Sequence, residues 1–174
     1  MRKPAQAGFT LIEIAIVVAV IAVLASVAIP QFMSDEREAT ADAEVSAMFS
    51  ALAIAEQEYK LENGVYLSTG ANEGATWPAV PGTKPLALAP YPATWNSLKV
   101  APPSDKARCG YVVIAGAANA APGATASGTF GFTAPSQAYF YILAHCNLDG
   151  SGSKDGYYFQ SSINATIKSV NPGY

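Results

Sequence analysis

The chain contains few side chains that could support catalysis, and they do not form a pattern typical of an enzyme. Its 174 residues include one histidine, His145, and two cysteines, Cys109 and Cys146. This inventory leaves little for a zinc site, a Cys–His nucleophile pair or a Ser-His-Asp relay. The formal charge of −3 argues against a dedicated nucleic-acid binder, and the sequence carries no specific nucleic-acid signal. We therefore predict a protein that is not an enzyme.

One run of side chains has the spacing of a calcium-binding loop. Oxygen-bearing side chains occupy every second position from 147 to 155, namely Asn147, Asp149, Ser151, Ser153 and Asp155. The run follows the start of an EF-hand loop, including its glycine, but Tyr158 stands where the EF-hand has a bidentate glutamate. A Gly/Ser/Asp hairpin turn is the alternative interpretation. Apart from this candidate Ca²⁺ site, we expect no cofactor.

An ionisable residue lies inside the most apolar segment of the chain. Residues 9–29 form an apolar run in which Glu13 is the only charged side chain. As a helix this run would be roughly 31 Å long, about the thickness of the hydrocarbon core of a bilayer. Arg2 and Lys3 precede it without an acid, which predicts a cytoplasmic N-terminus and an outward-facing remainder.

Two ordinary interpretations of this run leave Glu13 unexplained. A cleaved secretory signal could use residues 26–28 as its cleavage site, but its apolar core is usually only about 7–15 residues long. A plain membrane anchor explains the length and not the acid. A carboxylate in hydrocarbon costs several kcal/mol unless it is paired or reaches the headgroups, so Glu13 is a candidate functional residue.

The sequence GFTLIEIAIVVAVIAVLASVAIPQF, residues 8–32, resembles the N-terminus of type IV pilins and of the related type II secretion pseudopilins. In that family a prepilin peptidase removes a short basic leader that ends in glycine, and the new N-terminal residue is N-methylated. The resemblance implies that residues 1–8 are the leader, that cleavage separates Gly8 from Phe9, and that Phe9 is methylated. Pro30 matches a proline that commonly bends or locally unwinds the helix in assembled filaments.

Glu13 matches the glutamate of that family, which implies a role in assembly. Cleavage would leave a cationic amine on Phe9, and a carboxylate four residues along lies one helical turn away. In the family, the glutamate of an incoming subunit is thought to meet the terminal amine of a neighbour. Either charge alone is unfavourable among packed apolar helices, whereas the pair is tolerated.

The chain as a whole predicts a pilin-like α+β fold, in which a long N-terminal α-helix packs on a C-terminal antiparallel β-sheet. Residues 9–30 form the transmembrane and assembly half of the helix, and residues 31–63 form an amphipathic half. The apolar stripe of the second half consists of Val45, Met48, Phe49, Leu52 and Tyr59. Glu56 and Lys60 have the spacing of a favourable i, i+4 pair, and Asn63-Gly64 predicts the helix end.

The remaining residues predict a connection and a sheet. Prolines and glycines make residues 64–108 an irregular, packed connection, in which Trp77 and Trp95 pack on the head or, alternatively, bind carbohydrate. Residues 109–174 predict the sheet, with residues 117–128 as a flexible loop. Five runs rich in β-branched and aromatic residues are strand candidates, namely 109–116, 128–133, 137–145, 156–162 and 164–170. Four of them are predicted to form the sheet, and 128–133 is the weakest candidate.

The cysteines and the charge distribution give two further predictions. An outward-facing chain meets an oxidising compartment, so Cys109 and Cys146 are predicted to form a disulfide, with free thiols as the alternative. Residues 34–62 carry eight acids and two bases, net −6, whereas residues 63–174 carry four acids and six bases, net +2. This favours either a solvated helix face or a contact between acidic and basic surfaces of neighbouring subunits.

The resemblance implies a structural subunit of a type IV pilus-like filament that serves adhesion, surface motility or DNA uptake. Such a subunit is held in the inner-membrane bilayer as a precursor, trimmed by the prepilin peptidase, and added to an extracellular helical homopolymer with other pilins by an assembly platform and ATPase. A type II secretion pseudopilin is the alternative, which the calcium-like loop favours, whereas the disulfide and the longer head favour a pilin. A minor tip subunit and a carbohydrate-binding module remain as further alternatives.

Overall fold

The computed structural model describes residues 9–79, 82–151 and 154–174 of the chain. These residues fall into two units, one that ends at Asp35 and one from Glu36 to Tyr174, which we call the head. A helix, α1 (Leu11–Asn63), contributes residues to both units. The predicted leader, including Gly8, lies outside the described residues.

The first part of α1 exposes its apolar side chains. Every Leu, Ile and Val between residues 11 and 29 is exposed, with relative exposures from 50% to 92%. The helix is long and apolar enough to cross a bilayer, in agreement with the predicted membrane-spanning segment. It continues through Pro30, although proline cannot donate the backbone hydrogen bond to the carbonyl of Ser26. Bending or unwinding at Pro30 in a filament stays a prediction.

The second part of α1 forms one wall of the head core. Of the predicted stripe, Val45, Met48, Phe49 and Leu52 are buried, and Tyr59 is half-buried. The helix ends at Asn63, and Gly64 follows in the left-handed conformation with φ of 79°. Glycine adopts this conformation without a steric penalty, which explains why the Asn-Gly pair ends the helix.

The sheet contains four antiparallel strands, and each pairs with the next one along the chain. They are β3 (Cys109–Gly116), β4 (Tyr139–Cys146), β5 (Gly156–Ser161) and β6 (Lys168–Val170). The predicted number of strands is confirmed, because four of the five candidate runs supply them, and the weakest run, residues 128–133, is not a strand. Residues 128 and 129 instead complete a helical turn over Thr125–Thr129, and Gly131 has a φ of 64°, which is incompatible with an extended strand.

Each face of the sheet has its own cluster of buried side chains. The inner face packs on α1 and includes Tyr111, Val113, Phe140, Ile142 and Tyr158. The outer face is aromatic and includes Tyr139, Tyr141 and Phe159. The aromatic residues of both faces therefore pack in the core of the head.

The segment 117–133, part of which was predicted to be a flexible loop, covers the outer face. Its Ala126 is fully buried, and Phe130 stacks on Phe159 with 5.1 Å between ring centroids. Glu73 fixes the segment, because its carboxylate accepts hydrogen bonds from the backbone N–H groups of Thr125 at 2.7 Å and Ala126 at 2.9 Å. Composition predicted flexibility here because alanine and glycine carry no signal for a carboxylate fifty residues away.

The connection before the sheet is packed and contains short regular elements. These are β1 (Leu86–Ala87), α2 (Ala93–Leu98) and β2 (Lys106–Ala107), and β1 pairs with β2. Trp95 is 2% exposed, and the Trp77 indole N–H donates to the Leu88 carbonyl at 3.0 Å. Both tryptophans therefore pack within the head.

Candidate assembly site

Glu13 lies in the first turn of α1, where it caps the helix. The Thr10 backbone N–H and hydroxyl donate to Glu13 Oε2 at 2.8 and 2.6 Å, and the Glu13 N–H lies 3.3 Å from the Thr10 hydroxyl oxygen. This reciprocal arrangement is a capping box, in which a threonine and a glutamate three residues later satisfy unpaired N–H groups. The Thr-x-x-Glu spacing is a sequence signal for a capping box, and the sequence-based prediction missed it.

The capping box uses one of the two carboxylate oxygens of Glu13. Oε1 has no hydrogen-bond partner among the described residues, and Phe9, the predicted new N-terminus, is 85% exposed. A carboxylate has about four lone-pair sites, so Glu13 can cap its own helix and still accept a hydrogen bond from another group. The predicted assembly residues Phe9 and Glu13 are thus both exposed at the N-terminal end of the described chain.

A second carboxylate, Glu44, joins α1 to the sheet. Its oxygens accept hydrogen bonds from the N–H groups of Arg108 and Cys109 at 2.9 to 3.0 Å and from the Tyr111 hydroxyl at 2.8 Å. Burial, reinforced by the neighbouring Glu44 carboxylate, raises the pKa of Tyr111 far above its usual value, so this phenol remains a donor. Glu44 therefore fixes the start of β3 against the helix.

Cys109 and Cys146 form the predicted disulfide. They are register partners at the ends of β3 and β4, with a Cα–Cα distance of 4.4 Å, and both are fully buried. The disulfide joins β3 to β4 at the same end of the sheet where Glu44 binds the start of β3. At this end, β3 is therefore linked covalently to β4 and by hydrogen bonds to α1.

The calcium-like run occupies the connection between β4 and β5, and Ser153 lies outside the described residues. Asn147 Oδ1 accepts from the Gly150 N–H at 2.9 Å, and Asp149 accepts from the N–H and hydroxyl of Ser151. Asp155 Oδ2 lies 2.9 Å from His145 Nε2.

Asn147 and Asp149 therefore already accept hydrogen bonds from the protein, whereas Asp155 Oδ1 is buried with no hydrogen-bond partner among the described residues. No three His, Cys, Asp or Glu side chains converge among the residues that the structure describes. Calcium binding stays a prediction, and unfolding of the full chain with calcium and with a chelator tests it.

Comparison with known proteins assigns the chain to a family. Residues 3–29 match the family described as "Prokaryotic N-terminal methylation motif". The chain is 36% identical over 99 residues to type II secretion system core protein G of Pseudomonas aeruginosa, covering 55% of this chain and 63% of that protein. It is 38% identical over 78 residues to the type IV narrow pilus major component PilA5 of Thermus thermophilus, covering 40% of this chain and 67% of that protein. The chain belongs to the family of type IV pilins and type II secretion pseudopilins.

This pilin-like chain is thus a structural subunit and not an enzyme. A further relative, type II secretion system core protein G of Klebsiella michiganensis, is 39% identical over 83 residues, covering 47% of this chain and 58% of that protein. The chain spans about 60% of the length of these two secretion relatives. No solved structure matches it.

The pilin-like head also contains a buried carboxylate, Glu56. The sequence predicted an i, i+4 pair between Glu56 and Lys60, and this prediction was wrong, because position 56 lies on the buried face of α1 and Glu56 is 0% exposed. Glu56 Oε2 accepts from the Leu67 N–H at 3.0 Å, whereas Oε1 is buried and has no hydrogen-bond partner within the described ranges. Lys60 instead donates to the Tyr66 hydroxyl at 3.1 Å. Burial raises the pKa of Glu56 to about 7, although the Leu67 hydrogen bond opposes this shift.

Glu56 is expected to make the head less stable as the pH rises. Its folded pKa of about 7 exceeds the ordinary 4.5, so its stabilising effect is complete below pH 4.5 and is lost as the pH rises through 7. The shift corresponds to at most about 3 kcal/mol in the free energy of unfolding. Glu56→Gln removes the titration, so the variant should gain stability relative to the wild type between pH 5 and pH 8. Urea unfolding of the full chain in detergent, followed by circular dichroism, measures this difference.

The exposed Glu58→Gln provides the matched control for this experiment, because it removes the same charge without a buried carboxylate. Its stability difference from the wild type should stay constant over the same pH range. A Glu56→Gln profile parallel to that of the wild type would show that Glu56 does not titrate in this range.

Proposed function

We propose that the chain is the repeating subunit of a type IV pilus-like filament, in which the first part of α1 packs against other copies. The observation that carries the proposal is the exposed apolar surface of residues 11–29, which lie within the matched N-terminal methylation motif. Burying the twelve exposed Leu, Ile and Val side chains of residues 11–29 is worth on the order of 20 kcal/mol. This segment therefore needs lipid before assembly and other apolar helices after it.

Processing supplies the charge that organises this packing. A prepilin peptidase removes residues 1–8, and Phe9 becomes a methylated, cationic terminus. Glu13 Oε2 remains in the capping box, and Oε1 accepts a hydrogen bond from the Phe9 amine of a neighbouring copy. Because the two charges are unfavourable in an apolar environment unless they meet, the pair sets the axial register of adjacent helices.

The subunit enters the filament from the inner membrane through an assembly platform driven by an ATPase, and the filament projects outside the cell. A pilus would serve adhesion, surface motility or DNA uptake. The relative named as a major pilus component supports this role, because the chain covers 67% of its length.

A secretion pseudopilus is the second candidate function. Two relatives named type II secretion system core protein G are 36% and 39% identical to this chain, and this observation favours the second candidate. The two roles share processing, helix packing and the Glu13 contact, and they differ in where the filament is found and in what it moves.

Mass spectrometry of the N-terminal peptide from sheared surface material tests the proposal. A peptide that begins with methylated Phe9, found in a high-mass fibre fraction, is the expected result for a pilus subunit. The same terminus confined to the inner membrane, together with a secretion defect on deletion, would favour the pseudopilus. A terminus near Ile29 would show that the apolar segment is an ordinary signal, and the filament function would be wrong.

A further inference from the structure

We propose that neighbouring copies of the head contact each other through two oppositely charged edges. The acidic edge consists of Glu38 and Asp42, and the basic edge consists of Lys84, Lys106 and Arg108. The partner is a second copy of this chain, and the inference rests on the proposed filament function. It assigns residues to a contact between heads, separate from the contact between N-terminal helices.

The acidic edge lies beside β5 and β6, at one side of the sheet. Asp42 is exposed and lines a groove of about 240 Å³ with Ser46, Tyr158, Ile167 and Ser169. Glu38 is half-buried on the same side of α1, one turn before Asp42. Burial, together with the Asp42 and Glu38 carboxylates, raises the pKa of Tyr158, which places both acids near this ring.

The basic edge lies beside β3, at the opposite side of the sheet. Glu44, on the other flank of α1 from Asp42, accepts hydrogen bonds from the N–H groups that begin β3. Arg108 donates to the Thr83 carbonyl at 3.4 Å, which brings it close to the exposed Lys84. Lys106 is exposed on β2. With Asp105 and Glu44 included, this edge carries a net charge of +1, against −2 on the acidic edge.

Two other basic residues of the head have partners within the chain. Lys99 pairs with Glu62 at 3.0 Å, and Lys168 donates to the Phe130 carbonyl at 3.2 Å. In contrast, no salt bridge inside the part of the chain that the structure describes neutralises Lys84, Lys106, Glu38 or Asp42. These four side chains are available to a second copy.

The position of the two edges selects the type of assembly. Edges with the same sign of charge repel each other and edges of opposite sign attract. The favoured contact therefore joins the acidic edge of one copy to the basic edge of the next. Such a contact is heterologous, and heterologous contacts that do not close into a ring generate an open helical filament. Exposed ion pairs are individually weak and are screened by salt, so the contact adjusts register and does not replace the apolar packing.

Charge reversal in the full chain tests the contact. Reversal of the acidic edge (Glu38→Lys with Asp42→Lys) or of the basic edge (Lys84→Glu with Lys106→Glu) should each lower the sheared filament yield about five-fold. Combining the four substitutions should restore most of the yield, because attraction returns with inverted sign. The control for the acidic-edge variant is Glu36→Lys with Glu58→Lys, which changes the net charge by the same amount on exposed helix positions outside both edges. It should stay near the wild-type yield.

Cross-linking of wild-type filaments gives a second measurement that does not depend on the folding of variants. A zero-length carbodiimide applied to filaments of mixed light and heavy-isotope subunits should join Glu38 or Asp42 to Lys84 or Lys106 across the isotope boundary. Failure of the combined variant to recover, a control as defective as the edge variants, or the absence of these cross-links overturns the edge contact. Wild-type cells that form no filaments at all would instead refute the proposed function, and the edge contact with it.

Discussion

Glu13→Gln is expected to be processed after Gly8 and inserted into the membrane like the wild type, but to reduce filament yield at least about ten-fold. Glutamine at this position can still accept a hydrogen bond from the Thr10 N–H, so the capping box survives. It carries no negative charge, so the Phe9 amine of a neighbour stays unpaired among apolar helices. A ten-fold decrease in the equilibrium constant of assembly corresponds to a loss of only about 1.4 kcal/mol in the free energy of assembly.

Glu13→Ala separates the two roles of this carboxylate. Alanine removes both the cap and the charge, so its yield should equal or fall below that of Glu13→Gln. The measurement is the amount of subunit in sheared fibres relative to membrane-held subunit, with mass spectrometry of the N-terminus to confirm processing. Normal assembly of Glu13→Gln with defective Glu13→Ala would show that Glu13 acts only as a helix cap.

Replacing Cys109 and Cys146 together by alanine is expected to destabilise the head by about 3–4 kcal/mol. The disulfide closes a loop with a sequence separation of 37, and cross-links of this size restrict the unfolded chain to about this extent. For a chain of this size, the loss corresponds to a decrease in Tm of roughly 6–16 °C. Intact mass with and without reductant and alkylation verifies the bond in the wild type, and thermal unfolding of the full chain measures the change.

Reduction of the wild-type protein provides the matched comparison for this variant. Reduced wild type and the double alanine variant should have similar Tm values, because both lack the cross-link. A decrease of less than about 2 °C in both would show that the Glu44 hydrogen bonds to Arg108, Cys109 and Tyr111 suffice to hold this end of the sheet.

The local features of the chain could be predicted from the sequence because their causes lie close together along it. The apolar segment, the helix stripe, the helix end at Asn63-Gly64 and four strands all follow from periodicity or from neighbouring residues. The capping box also belongs to this class, since Thr10 and Glu13 are three residues apart. The disulfide was predicted because only two cysteines exist and the compartment was inferred.

Only the tertiary structure decided which carboxylates are buried and what they bind. Glu44 meets Arg108, Glu73 meets Thr125 and Glu56 meets Leu67, and no periodic pattern connects these partners. The same holds for residues 128–133, whose aromatic residues suit a strand but instead cover the outer face of the sheet. The physical reason is that a buried polar group is stable only when a partner lies within hydrogen-bond distance, and packing of distant segments determines which partner that is.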